Sequence, residues 1–122
     1  IIIAIMKVEE RFIQSLKETV EYCIGKNADD NFELIDEANE NDIWFHLNNA
    51  PSTHIIACID ENRKYDKKQM KQIITQGAVL CKQNSKKKSD KNVEIIYAKI
   101  KDIEKTDTTG TVNVSNKKII II

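Results

Sequence analysis

Two histidines, one tryptophan and a set of lysines are the residues of this chain best equipped to hold a ligand. In Asp42-Ile43-Trp44-Phe45-His46 the strand period of two sends Trp44 and His46 to one face. Ile43, Phe45 and Leu47 go to the other, which has the look of core. A tryptophan exposed beside a histidine is a stacking surface for an unpaired base, and Lys26, Thr53 and His54 on neighbouring turns would add phosphate or ribose contacts. Asp42 would orient His46 or a turn amide. The competing arrangement packs Trp44 under a helix and has both histidines satisfying backbone carbonyls. Asn27 and Asn31 read first as turn and cap residues and only second as ligand contacts.

The lysines are unevenly placed. The formal net charge is zero, yet residues 1–62 carry four basic and thirteen acidic side chains, and residues 63–122 carry fifteen basic and six acidic. Local potential, not net charge, steers a phosphate backbone, so this asymmetry hints at a basic binding face unless the two halves interleave in space. The densest basic run is Lys82, Lys86, Lys87, Lys88 and Lys91, on a polar segment suited to non-specific phosphate contact. With only Arg11 and Arg63 to supply a guanidinium, bidentate reading of guanine edges is disfavoured and shape or backbone recognition is expected.

Enzymatic chemistry finds little support. The chain has no Cys-x-x-Cys, His-Glu-x-x-His, phosphate-binding glycine loop or nucleophile elbow. Cys23, Cys58 and Cys81 are odd in number and widely spaced, which suits reduced thiols acting as small buried hydrophobes. No catalytic residue, metal or cofactor is expected. The terminal apolar runs, residues 1–6 and 119–122, fall far below the roughly 20 residues needed to span a bilayer, and no internal run is longer than the first. No basic segment precedes the first run and no small-residue cleavage site follows it, so a cytoplasmic protein without a membrane partner is expected. The isoleucine-rich ends would form sheet edges capable of self-association.

These residues must be positioned by one domain, since 122 residues are too few for two ordinary cores. Periodicity predicts strands over Lys7–Leu16 and Thr19–Ile24, then a short helix over Asp30–Ala38 with Asp30 and Glu33 as its capping pair. Strands Asp42–Leu47 and His54–Ile59 follow, joined through Pro51 as a hairpin. Asp66 caps one long helix to about Asn84, with Met70, Ile73, Ile74, Gly77, Ala78 and Cys81 along its apolar side. A basic loop over Ser85–Asn92 and two closing strands, Val93–Ile103 and Thr111–Ile122, complete the chain. The expected fold is α+β, a mainly antiparallel sheet with one short and one long helix.

Three elements in order carry a family resemblance: Gly25-Lys26-Asn27-Ala28-Asp29-Asp30-Asn31, then Asp42-Ile43-Trp44-Phe45-His46, then Pro51-Ser52-Thr53-His54. They resemble the NFACT-R family pattern of Gly-x-Asn-Ala-x-x-Asn, Asp-x-Trp-x-His and Pro-Gly-Ser-His, and the similarity runs from about Arg11 to the C-terminus. The chain departs from it at Ser52, where the family has glycine and a phosphate would come closest to the backbone. The resemblance implies RNA binding, with Lys26, Asn27, Asp42, Trp44, His46, Thr53 and His54 as candidate contacts; the charge pattern adds Lys82, Lys86, Lys87 and Lys88, on the same surface or on the opposite side. Multidomain members grip tRNA on a stalled large ribosomal subunit during ribosome-associated quality control. A lysine-dominated surface hardly distinguishes the two polymers, so DNA is the alternative nucleic acid. A protein partner is the alternative class.

Overall fold

The computed structural model describes residues 7–122; the apolar run at residues 1–6, and the edge expected of it, lie outside them. Strands β1 (Lys7–Ile13) and β2 (Glu18–Ile24) form a hairpin, followed by helix α1 (Ala28–Glu37) and strands β3 (Ile43–Leu47) and β4 (Ile55–Ala57). Helix α2 (Lys67–Gln83) leads to β5 (Glu94–Lys99), a single 3-10 turn at Ile100–Asp102, β6 (Ile103–Lys105), β7 (Val112–Val114) and β8 (Lys118–Ile121). Six strands make an antiparallel sheet in the order β1-β2-β4-β3-β5-β8, and β6 and β7 pair separately. The α+β expectation is met.

The pleat divides the core in two. Tyr22, Ile24, Ile43, Phe45, Leu47, Ile55 and Ile95 face α2, where Ile73, Ala78, Leu80 and Cys81 cover them. A Cβ on Gly77 would overlap the Phe45 ring, so the glycine lets helix and sheet approach closely. Cys23, Trp44, Ile56 and Ile96 face the other way, under Leu34 and Ile35 of α1 and under Ile103, Val112 and Val114 of the β6-β7 hairpin. Phe32 and Lys105 join α1 to that hairpin, the ammonium 5.3 Å from the ring centre and 2.6 Å from Asp36.

Local chemistry moved several boundaries. Asn27, not Asp30, caps α1: its side chain accepts the Asp30 amide at 2.9 Å, and Asp30 reaches back to the Lys26 amide at 3.1 Å. At α2 Asp66 is the cap as expected, and Gln69 completes a capping box the sequence reading did not include, each accepting the other's amide. Strand β1 stops at Ile13, before Leu16, because Lys17 turns through a positive φ of 56°. Asp42 is drawn out of β3 by its carboxylate, which accepts the Asn39 and Ile59 amides at 2.9 and 2.8 Å. The second of these bonds also ends β4 short of Ile59. Neither closing strand is continuous. The Ile100 and Lys101 amides leave the ladder to donate to the Asp42 and Glu40 carbonyls, and Asn116 at φ 51° separates β7 from β8.

The charge asymmetry survives folding in altered form. The acidic half of the sequence supplies four adjacent strands, and the basic half supplies β5 and β8 at one side. The helices set the two broad faces: α1 carries Asp29, Asp30, Glu33, Asp36 and Glu37, whereas α2 carries Lys67, Lys68, Lys71 and Lys82. Among the described residues the ion pairs that join the two halves are Arg63 with Glu18 and Lys105 with Asp36.

Candidate nucleic-acid interface

Antiparallel pairing brings the end of β2, the loop before β4, the end of β3 and the start of β5 to one end of the sheet. There the Gly25 amide donates to the His54 carbonyl at 3.0 Å, and the Thr53 hydroxyl donates to the Gly25 carbonyl. Asn31, from the first turn of α1, is buried and accepts the His54 amide at 3.2 Å. A Cβ on Gly25 would overlap the Asn31 side-chain oxygen, so the glycine in this motif makes room for an internal hydrogen bond. Asn27 is a cap, and Lys26 lies exposed just before it.

Trp44 is not an exposed stacking surface. It is 1% exposed, sealed beneath α1, and its indole Nε1–H donates to His54 Nδ1 at 3.0 Å. His54 is equally buried, and its other nitrogen donates to the Gly110 carbonyl. The indole only donates and the carbonyl only accepts, so His54 is fixed as the neutral Nε2–H tautomer. Burial pushes its pKa down to about 3, helped by His46 and opposed by the Gly110 carbonyl. Gly110 can offer that carbonyl because it turns at φ 84° against Ala28, a conformation a side chain would strain. The packed arrangement of Trp44 holds, and both histidines satisfy a backbone carbonyl as that arrangement required, His54 that of Gly110 and His46 that of Leu47.

His46 is half-buried, stacked on Trp44 with ring centres 5.5 Å apart and planes at 10°, and set edge-on to His54 at 5.2 Å. Its Nδ1 lies 2.6 Å from the Leu47 carbonyl. Burial lowers its pKa, with that carbonyl opposing. The ring opens onto a cleft of about 710 Å³ between the β3-β4 loop and the β6-β7 hairpin, inside the range of roughly 300–1,000 Å³ usual for ligand sites. Asn48, Asn49, Thr111, Asn113 and Lys117 share the lining, and among the described residues that line it there is no carboxylate. Ser52 also borders it, but its hydroxyl is taken up by the loop, accepting the Leu47 amide at 3.0 Å and donating to the Thr53 carbonyl at 3.1 Å.

The remaining site residues disperse. Asp42 sits at the far end of β3 from His46, buried, binding turn amides and not the histidine; burial raises its pKa against those two amide bonds. Lys82 donates to the Ile122 carbonyl at 3.2 Å beside the α2 side of the sheet. Lys86, Lys87 and Lys88 are exposed on the turn after α2. Of these, Lys87 lines a shallow depression with Lys91, Asp90, Glu94, Asn48 and Asn49, and both asparagines also line the His46 cleft. The two patches are therefore neighbours. Lys117, Thr111, Asn113, Asn48 and Asn49 were not singled out by sequence, and only the pairing of β8 with β5 and the return of the β6-β7 hairpin brings the C-terminal members in. Among the described residues no three His, Cys, Asp or Glu side chains gather as metal ligands. Cys23 and Cys58 lie with sulfurs 3.8 Å apart, and all three cysteines are free.

A family model described as the NFACT protein RNA binding domain matches residues 10–116. No curated protein matches the sequence. Among solved structures, the C-terminal part of the fibronectin/fibrinogen-binding protein from Streptococcus suis shares the fold at TM-score 0.74 and 24% identity. The match covers 95% of this chain but spans only 45% of the length of that one.

Proposed function

Because this chain belongs to the NFACT protein RNA binding domain family, and so is an RNA-binding domain, we propose that its ligand is tRNA held on the large ribosomal subunit during cytoplasmic ribosome-associated quality control. The proposal is of binding without a chemical step. The observation that carries it is the cleft: polar amides and one lysine, free of carboxylates among the described lining, opening from His46 and adjoining the Lys87 and Lys91 depression. An anionic chain entering there meets amides for sugar and base edges and Lys117, with Lys87 and Lys91 beyond them beside Asp90 and Glu94. The buried Trp44 and His54 then act as support for His46 and the loop, not as contacts.

Titration of fluorescent tRNA and a matched DNA duplex at two salt concentrations tests this. Expected are salt-sensitive tRNA binding, weaker duplex binding, and a several-fold loss with Lys117→Glu. Absence of tRNA binding by the folded domain at low salt would refute the reading.

One observation favours a second reading, association through a sheet edge. Strand β8 is an outer strand, and Ile119 and Ile121 are 50% and 60% exposed. Among the described residues no strand pairs with its outer edge, and an open apolar edge is a template for another strand. Sedimentation that shows a dimer in the wild type and a monomer in Ile119→Lys/Ile121→Lys, with tRNA affinity absent from both, would favour it.

A further inference from the structure

We infer that the cleft receives a ribose of the bound RNA, with its 2′-hydroxyl donating a hydrogen bond to His46 Nε2, so that this one atom distinguishes RNA from DNA. The inference rests on the RNA reading above and adds which part of the polymer meets the histidine.

The geometry at the ring leads there. His46 Nδ1 faces the Leu47 carbonyl at 2.6 Å, and a carbonyl only accepts, so Nδ1 carries the ring proton. In the neutral ring Nε2 is then a bare lone pair. It has no partner among the described residues. Every fully buried side-chain nitrogen or oxygen there is satisfied, so Nε2 is open to the cleft.

The neighbours of the ring keep it in that state. Trp44 stacks on it from its own strand, His54 meets it edge-on from the loop before β4, and Ile96 borders it from β5. His54 cannot take a second proton without turning one of its nitrogens against the Trp44 indole N–H. The one charge in the described lining, Lys117 before β8, opposes a proton on His46, and no carboxylate there would compensate one.

A fixed acceptor needs a donor from the ligand. Phosphate offers none at neutral pH and is better placed at Lys117. An ammonium group would meet Lys117 as a like charge. A hydroxyl is neutral and both donates and accepts, which suits a lone pair opening into a cleft that Asn49 and Asn113 also line. On a nucleic acid the 2′-hydroxyl is that group, and DNA lacks it.

The test compares one short single strand as RNA, as 2′-fluoro RNA and as DNA, by fluorescence anisotropy on the wild type and on His46→Phe, which keeps the ring but loses the acceptor. The wild type should bind RNA tighter than either analogue by roughly three- to tenfold, the worth of one hydrogen bond. His46→Phe, shown to be folded by circular dichroism, should bind all three alike. Equal wild-type affinity for RNA and 2′-fluoro RNA overturns the inference while leaving RNA binding intact, as does discrimination retained in folded His46→Phe. Should His46→Phe not fold, the wild-type comparison decides alone. If the wild type binds none of the three strands, the RNA reading falls and this inference with it.

Discussion

The two faces of the sheet are built on different principles. Toward α2 the contact is almost wholly apolar; its main polar exception is Tyr22, whose hydroxyl donates to the Ile73 carbonyl at 2.8 Å. Toward α1 and the β6-β7 hairpin, a smaller apolar cluster surrounds the chain Trp44, His54, Gly110, with Asn31 and His46 alongside. Apolar contact is non-directional and tolerates exchange of shape. A chain of donors and acceptors has one arrangement and loses energy when any member is left unpaired. The first face gives the domain its stability, and the second gives a cleft wall its geometry.

That contrast should appear first in how much is lost. Phe45 is fully buried against Gly77 on the α2 face, and Phe45→Ala should cost about 3–5 kcal/mol in urea unfolding. The loss should be the same at pH 7 and pH 5, since no titrating group is involved. The opposite face should answer to acid. His54 is held neutral down to about pH 3 in the folded protein, while in the unfolded chain it takes up a proton near its ordinary value of 6.5. The unfolded state thus binds the extra proton, and stability falls as pH drops from about 6.5 toward 3, at about 1.4 kcal/mol per unit for that one proton. His46, also lowered, adds to the same slope. In His54→Gln, whose amide can both accept from the indole and donate to Gly110, the slope should flatten; an unchanged slope would show that His54 is not the sensor.

The α2 face was the more legible of the two. Its helix, cap and apolar stripe follow from spacing alone, because burial against a sheet imposes a period that the sequence records. Trp44 shows where such reading stops. The strand period placed it opposite Phe45 correctly, but period two does not say what covers the second face. Here the cover is α1 and a hairpin formed by residues some sixty positions later. Gly110 and Lys117 were invisible for the same reason, since each acts through a pairing of strands distant in sequence. Asn27 read correctly as local cap chemistry, whereas Asn31 is neither cap nor turn but a buried helix residue that accepts the His54 amide; Asp30 was mistaken for the cap because it too is followed by an acid three residues on.

The hydrogen-bond chain can be cut at its first link with a smaller effect. Trp44→Phe keeps most of the buried ring but leaves His54 Nδ1 without a donor, and should cost about 1–3 kcal/mol. It should also raise the pKa of His54, because Nδ1 becomes free to take a proton, and an NMR titration of the ring carbons would record the shift. The smallest effect on stability belongs outside both faces. Lys86, Lys87 and Lys88 are exposed on the turn after α2, so changing all three to glutamate should leave unfolding within about 0.5 kcal/mol of the wild type. Their effect should fall on RNA binding. Each lysine that touches a phosphate adds nearly one to the slope of log affinity against log salt, so the variant should bind more weakly and with a shallower slope. Lys87 adjoins the cleft through Asn48 and Asn49, so Lys87→Glu alone should account for most of the change in slope. A change spread equally over the three would mean that RNA lies along the turn and not across its junction with the cleft.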